Sequence, residues 1–425
     1  MLHRLGILLL TILVASFLLP SCSKTYSSDA PLPTSYSPSV IASSDNQVWY
    51  AFDPVSGAKH WEFSTPIRPG FVPRDFSPSA VLYYNSIYIL TTTSDTIYKI
   101  DSKTGVLIKK MLIHDANGNV PPFTCTATPI VDGGLLYVAT LSNMLYAVDT
   151  GTGLLSWEFT ADAPLESSPA IYNGQVYIAS TGGYVYAVDK TNGPASGNIP
   201  TWQYPSSDAG FSLAKFVSSP AIYPPYLYVG SVSDSNMYCI FLNPPSPTTT
   251  SGAGITDGVL RWTYKTNGGI YSSPATIAGK VIFGSNDFKV YCLDTSINPL
   301  MGITTPRKYW IDSTNSQVWS SPVVYNQVVY IGGHDYKLYA INLIDGKFKW
   351  QFHSNGLIKS SPVAYGSRIY IGSYDKNLYS VDTAHGTLRW TQNINGNIES
   401  SPIIDDLTGA NFHKGYNSQV SGLTN

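Results

Sequence analysis

Lys359 to Gly396 reads KSSPVAYGSRIYIGSYDKNLYSVDTAHGTLRWTQNING, and the same phrase stands 40 positions earlier. Ser320-Ser321-Pro322 answers Ser360-Ser361-Pro362, and Tyr330-Ile331-Gly332 answers Tyr370-Ile371-Gly372. Asp335 answers Asp375, Leu338-Tyr339 answers Leu378-Tyr379, and Gly346 with Trp350 answers Gly386 with Trp390. Self-similarity at this period is the mark of a solenoid, an array or a propeller, each built by stacking one supersecondary unit.

Working outward, Ser/Thr-Pro anchors fall at Pro78, Pro129, Pro169, Pro220, Pro274, Pro322, Pro362 and Pro402. The spacing never drops below 40, so the unit is about 40 residues and the wider gaps are loop insertions. Each unit reads as four short strands: one after the Pro, a second such as Val176 to Ser180, a third such as Tyr184 to Asp189, and a fourth carrying Trp. Gly57, Gly105, Gly153, Gly193, Gly346 and Gly386 close the turn before the fourth strand, where a positive φ suits glycine. Val40 to Phe63 supplies only the last three strands of a unit, and Glu399 to Ile404 supplies only a first strand. Joined, the two ends complete one blade and leave no open seam. The expectation is all-β: an eight-bladed β-propeller of four-stranded antiparallel blades, closed by the C-terminal strand joining the N-terminal blade.

Composition agrees. The chain has 425 residues, 31 Tyr, 35 Gly and 29 Pro, as many short strands and tight turns require. Charged residues are only 12%, the formal net charge is -2 and no basic patch stands out, which argues against nucleic acid as a partner.

Residues 1–22 read as an export signal: His3 and Arg4, then an apolar core from Leu5 to Leu19, too short for a membrane span. Leu19-Pro20-Ser21-Cys22 resembles a bacterial lipobox, which implies lipidation at Cys22 and a membrane-anchored lipoprotein. Residues 23–39 read as a polar tether, 40–405 as the propeller and 406–425 as a polar tail. Cys125, Cys239 and Cys292 lack metal-ligand spacing; the last two share one repeat position and read as buried apolar residues.

Trp61, Trp157, Trp202, Trp262, Trp310, Trp350 and Trp390 share one position on the fourth strand; the second blade, at Leu107 to Leu112, has none. One large ring per blade reads as a wedge between sheets, burying on the order of 200 Å2 each. The residues just before the anchors are Asp75, Thr126, Glu166, Val217, Tyr271, Trp319, Lys359 and Glu399. If the first strand is innermost they line one mouth of the central channel, a candidate binding site in which Asp75, Glu166, Tyr271, Trp319, Lys359 and Glu399 carry the chemistry. A solvated rim with polar strand ends is the competing reading. Long fourth-to-first links at Ser64 to Phe76 and His114 to Thr126 share that face, and the first offers Arg68, Phe71 and Arg74 as partner contacts. Long third-to-fourth links at 190–200, 242–258 and 295–308 fall on the opposite face, where a functional lobe and tolerated insertions are both open readings.

No nucleophile is assembled with a base: HExxH, GxSxG and CxxC are absent. Asp115 to Asn119 lacks the alternating oxygens and closing Glu of a calcium loop, and Gly252 to Gly258 lacks the strand-to-helix setting of a phosphate loop. Catalytic residues and metal ligands are therefore not assigned.

The Ser-Ser-Pro start, the Tyr-Ile-Gly-Ser…Asp…Leu-Tyr core and the Gly…Trp close resemble the PQQ-like repeat of β-propellers, from Val40 to Ile404. The resemblance implies one of two functions. BamB-like lipoproteins imply a non-catalytic protein-interaction scaffold at the bacterial cell envelope, monomeric and cofactor-free, in outer-membrane protein assembly. In that case the chain sits at the outer membrane facing the periplasm, the cell surface being the alternative. Quinoprotein dehydrogenases imply a PQQ-dependent oxidoreductase with calcium; alcohol-oxidising members carry adjacent cysteines, and this sequence has none. A glycan-binding or cell-wall-binding propeller is the third reading.

Overall fold

The computed structural model describes residues 37–65, 79–90, 96–114, 124–205, 214–242, 256–295 and 305–407. These form eight sheets, each built on four antiparallel strands. The first strands of neighbouring blades touch one another, so they are innermost. The second and third strands are almost wholly buried, as in Gln175–Ala179 and Val328–Gly332. The fourth strands alternate, as in Lys59–Ser64 and Phe348–His353, and form the rim.

Closure follows the complementary chain ends. Ser39–Ser43, Val48–Phe52 and Lys59–Ser64 form three strands of blade 1, and Ile403–Asp405 pairs with the first of them, Val40 opposite Ile404. Ile404 is fully buried there.

The repeated aromatics join blade to blade. Trp61 Nε1 donates to the Ser102 carbonyl of blade 2 at 2.9 Å, Trp310 to Leu343 at 2.9 Å and Trp350 to Thr383 at 3.0 Å. Trp390 completes the circle by donating to Pro54 of blade 1 at 3.1 Å. The indoles of Trp61, Trp157, Trp310, Trp350 and Trp390 lie over the turn glycine of the next blade. A Cβ on Gly386, where φ is +72°, would stand 2.5 Å from Trp350. The buried second-strand tyrosine reaches the same turn: Tyr370 donates to Pro54 and Tyr137 to Lys190, each ring 5.7–5.8 Å from its blade's Trp.

Blade 2 solves the joint differently. Lys109, four residues after Gly105 as Trp61 is after Gly57, donates to the carbonyls of Gly151 (3.1 Å) and Thr152 (2.6 Å). Met111 supplies the packing, its side chain lying against Gly153. Trp202 and Trp262 have buried Nε1 atoms without a hydrogen-bond partner among the described residues. They face blades 5 and 6, whose third-to-fourth links are the long ones at 242–258 and 295–308.

Described parts of two insertions run along outer edges. Thr256–Asp257 pairs in parallel with Trp202–Tyr204, giving blade 4 a short fifth strand. In the 190–200 link, Asn198 bonds the Thr160 backbone of blade 3 through both ends of its amide, at 2.9 and 2.7 Å. Cys125, Cys239 and Cys292 are free and buried, and burial pushes each thiol up to about 12. They act as small core residues.

Candidate functional site at the channel mouth

The Ser-Ser-Pro motif builds the site's floor. Its first serine stays within its blade: Ser320 and Ser360 Oγ accept the N–H of Gly332 and Gly372, twelve residues on, at 3.1 and 3.3 Å. Its second serine joins blades. The N–H of Ser168 donates to Ser219 Oγ, Ser219 to Ser273, Ser273 to Ser321, Ser321 to Ser361 and Ser361 to Ser401, all at 2.9–3.1 Å. Thr128 N–H donates to Ser168 Oγ at 2.9 Å, and Ser401 N–H to Ser79 Oγ at 2.8 Å. The proline then releases the chain into the first strand without needing a ladder donor.

Above this belt the channel widens to a cavity of about 280 Å3 lined by Thr126, Glu166, Val217, Tyr271, Trp319, Lys359 and Glu399. Seven of the eight positions picked out by the repeat thus share one concavity. The eighth needs a register correction. Ser79 holds the belt position in blade 2, so the equivalent of Glu166 there is residue 77 and not Asp75; both lie outside the described residues. Pro78 is accordingly two positions early as an anchor, because Ala80 stands where the other blades have Pro. Cys22, Arg68, Phe71 and Arg74 also lie outside the described residues.

One half of the mouth is a continuous arc. Tyr271 and Trp319 stack at 4.4 Å between centroids, 16° apart. Lys359 Nζ lies 5.2 Å from the Trp319 ring centroid and 4.5 Å from that of Tyr374, cation–π distances. It donates to Tyr374 Oη at 2.5 Å and to Glu399 Oε1 at 2.8 Å. The Lys359 and Glu399 side chains are only 18% and 8% exposed, so this ion pair is largely desolvated. Trp319 is fixed from behind: its Nε1 donates to Asn286 Oδ1 at 2.7 Å, and His334 lies 4.8 Å from it. Burial, with Lys359 nearby, pushes His334 down to about 4, so its ring is neutral at physiological pH. On the opposite half, Glu166 faces Lys215 at 3.6 Å.

Asn286, His334 and Tyr374 come from second-to-third hairpins and were not among the sequence candidates. A signal existed: Tyr374 follows Lys359 by 15 residues, and His334 follows Trp319 by the same interval.

Among the described residues, the lining does not fit a calcium-bound quinone. Calcium takes six to eight oxygen ligands, whereas the described carboxylates here, Glu166 and Glu399, sit on separate blades and each faces a lysine. No group of three or more His, Cys, Asp or Glu converges among the described residues.

A family model described as outer membrane protein assembly factor BamB matches residues 44–240 and 254–421. No curated protein matches. Among solved structures, BamB from Moraxella catarrhalis superposes with a TM-score of 0.57 at 17% identity, over 78% of this chain and 88% of that one. A europium-containing methanol dehydrogenase gives 0.58 at 11% identity, over 78% and 82%. The computationally designed protein Ika8 gives 0.59 at 13%, over 80% and 96%. An assembly factor, an oxidoreductase and a designed protein share this fold, so the structural likeness speaks for architecture alone.

Proposed function

The chain belongs to the family of the outer membrane protein assembly factor BamB, and on that premise we propose that it is a non-catalytic protein-interaction scaffold in outer-membrane protein assembly. The observation that carries this reading is the Tyr271–Trp319–Lys359–Glu399 arc. Rigid aromatic rings with a desolvated charge beside them are what protein-binding hot spots are made of. The arc's ionisable groups are committed to each other: Lys359 holds Glu399, and His334 is neutral with a buried Nε2 that has no hydrogen-bond partner among the described residues. Such a surface is suited to contact more than to proton transfer.

In this reading Cys22 carries a lipid that tethers the propeller to the outer membrane, facing the periplasm. The mouth and the 64–76 link, with Arg68, Phe71 and Arg74, form one contact face. The test is affinity capture of the lipidated protein from gently crosslinked membranes, with mass spectrometry of what comes with it. Recovery of an outer-membrane barrel insertase, lost when Arg68, Phe71 and Arg74 are replaced by Ala, supports the reading. A folded, membrane-bound protein that brings down no envelope partner overturns it.

A further inference from the structure

Among the described residues, the belt beneath the mouth leaves hydroxyl protons without a protein acceptor. Ser79, Ser168, Ser219, Ser273, Ser321, Ser361 and Ser401 each accept a backbone N–H through Oγ. A hydroxyl that accepts from an N–H cannot turn its own proton toward that group, so the proton remains for another acceptor. None of the seven donates to a protein atom among the hydrogen bonds of the described residues. Four of them, Ser79, Ser168, Ser219 and Ser273, line the 280 Å3 cavity with Thr128. The cavity floor therefore carries an arc of O–H donors from five successive blades, with Tyr271 and Trp319 forming one wall above it.

We propose that this floor binds a carboxylate group, with the apolar or aromatic body bonded to that carboxylate lying against the Tyr271–Trp319 wall. A carboxylate asks each hydroxyl only to donate, and charged acceptors make the strongest such bonds. A sugar hydroxyl would donate as well, asking an Oγ that already takes an N–H to accept again. The rim does not oppose an anion, because Glu399 is held by Lys359 and Glu166 faces Lys215. The carboxylate can belong to a free small acid or to the C-terminus of an extended polypeptide; both present the same group.

The test is calorimetric titration of the full-length protein with N-acetylphenylalanine and with N-acetylphenylalaninamide, which differ only in the carboxylate. The acid binds at least about 10-fold more tightly than the amide, the scale of a lost charge-assisted hydrogen bond. A heptapeptide ending in phenylalanine, as free acid and as amide, identifies the source: tighter binding than the single residue with the same acid preference assigns a polypeptide end, and equal binding assigns a small acid. Ser219→Ala combined with Ser273→Ala removes the preference; a thermal melt accompanies it, and the acid–amide ratio in the native protein stands if that variant does not fold. Equal binding of acid and amide, binding of N-acetylglucosamine in place of the acid, or no binding at millimolar probe overturns the proposal.

Discussion

The backbone N–H of Ser401 donates to Ser79 Oγ at 2.8 Å, joining residues 322 positions apart in the chain. The same bond recurs between other neighbouring blades at separations of 40 to 54 residues, where the chain itself keeps the partners near. Here it closes the ring. The Ile403–Asp405 strand lies next to it and pairs with Ser39–Ile41 of blade 1.

Replacing Ser79 by Ala leaves the buried Ser401 N–H without an acceptor, a loss of about 1–3 kcal/mol by urea denaturation. Ser321→Ala breaks an equivalent bond within the chain and costs about the same. Ile404→Asp buries an unpaired charge in blade 1 and opens the seam. Its cost exceeds about 3 kcal/mol, and unfolding then separates into more than one transition.

The joints between blades yield a second expectation. Gly386→Ala forces a side chain into the left-handed region, where φ is +72°, and against Trp350. It lowers stability by about 2 kcal/mol or more. At the second blade, Met111 is only 2% exposed, and Met111→Ala costs about 2–4 kcal/mol by leaving a cavity over Gly153. Lys109→Met removes two carbonyl contacts and costs about 1 kcal/mol. Differential scanning calorimetry ranks the three.

Acid stability depends on His334. Its folded value near 4 lies below the ordinary 6.5, because burial disfavours the charged ring. Between those values the unfolded chain takes up a proton that the folded ring refuses, so stability falls as pH drops from 6.5 toward 4. His334→Gln flattens that part of the stability–pH curve, measured by urea unfolding at pH 7 and pH 4.5. An unchanged slope would mean that the ring does not resist protonation.

What the sequence made legible was whatever recurs in register. Blade number, ring closure, the Trp wedges and the mouth positions all occupy fixed places in a 40-residue phrase, and pattern alone locates them. Features that complete the phrase by different means were hidden. Lys109 and Met111 share one joint between them, and neither resembles Trp. Thr256–Asp257 joins blade 4 by parallel pairing across a gap of more than fifty residues, which no local propensity encodes. His334 and Asn286 support Trp319 from hairpins whose composition changes from blade to blade. Asp75 was misplaced because blade 2 has Ala80 where other blades have Pro, and its Pro falls two residues early.

The proposed scaffold role requires that the mouth face receive a protein of the outer-membrane assembly apparatus. The most direct measurement places a photo-crosslinking amino acid at Tyr374, beside Lys359, and in a second variant at Ile344, an exposed turn residue on the opposite face. Both variants are irradiated in living cells, and the crosslinked products are identified by mass spectrometry. A product with an outer-membrane barrel-assembly protein is expected from position 374 and none from position 344. Crosslinks from position 344 alone, or none from position 374 in a folded and exported protein, would contradict it.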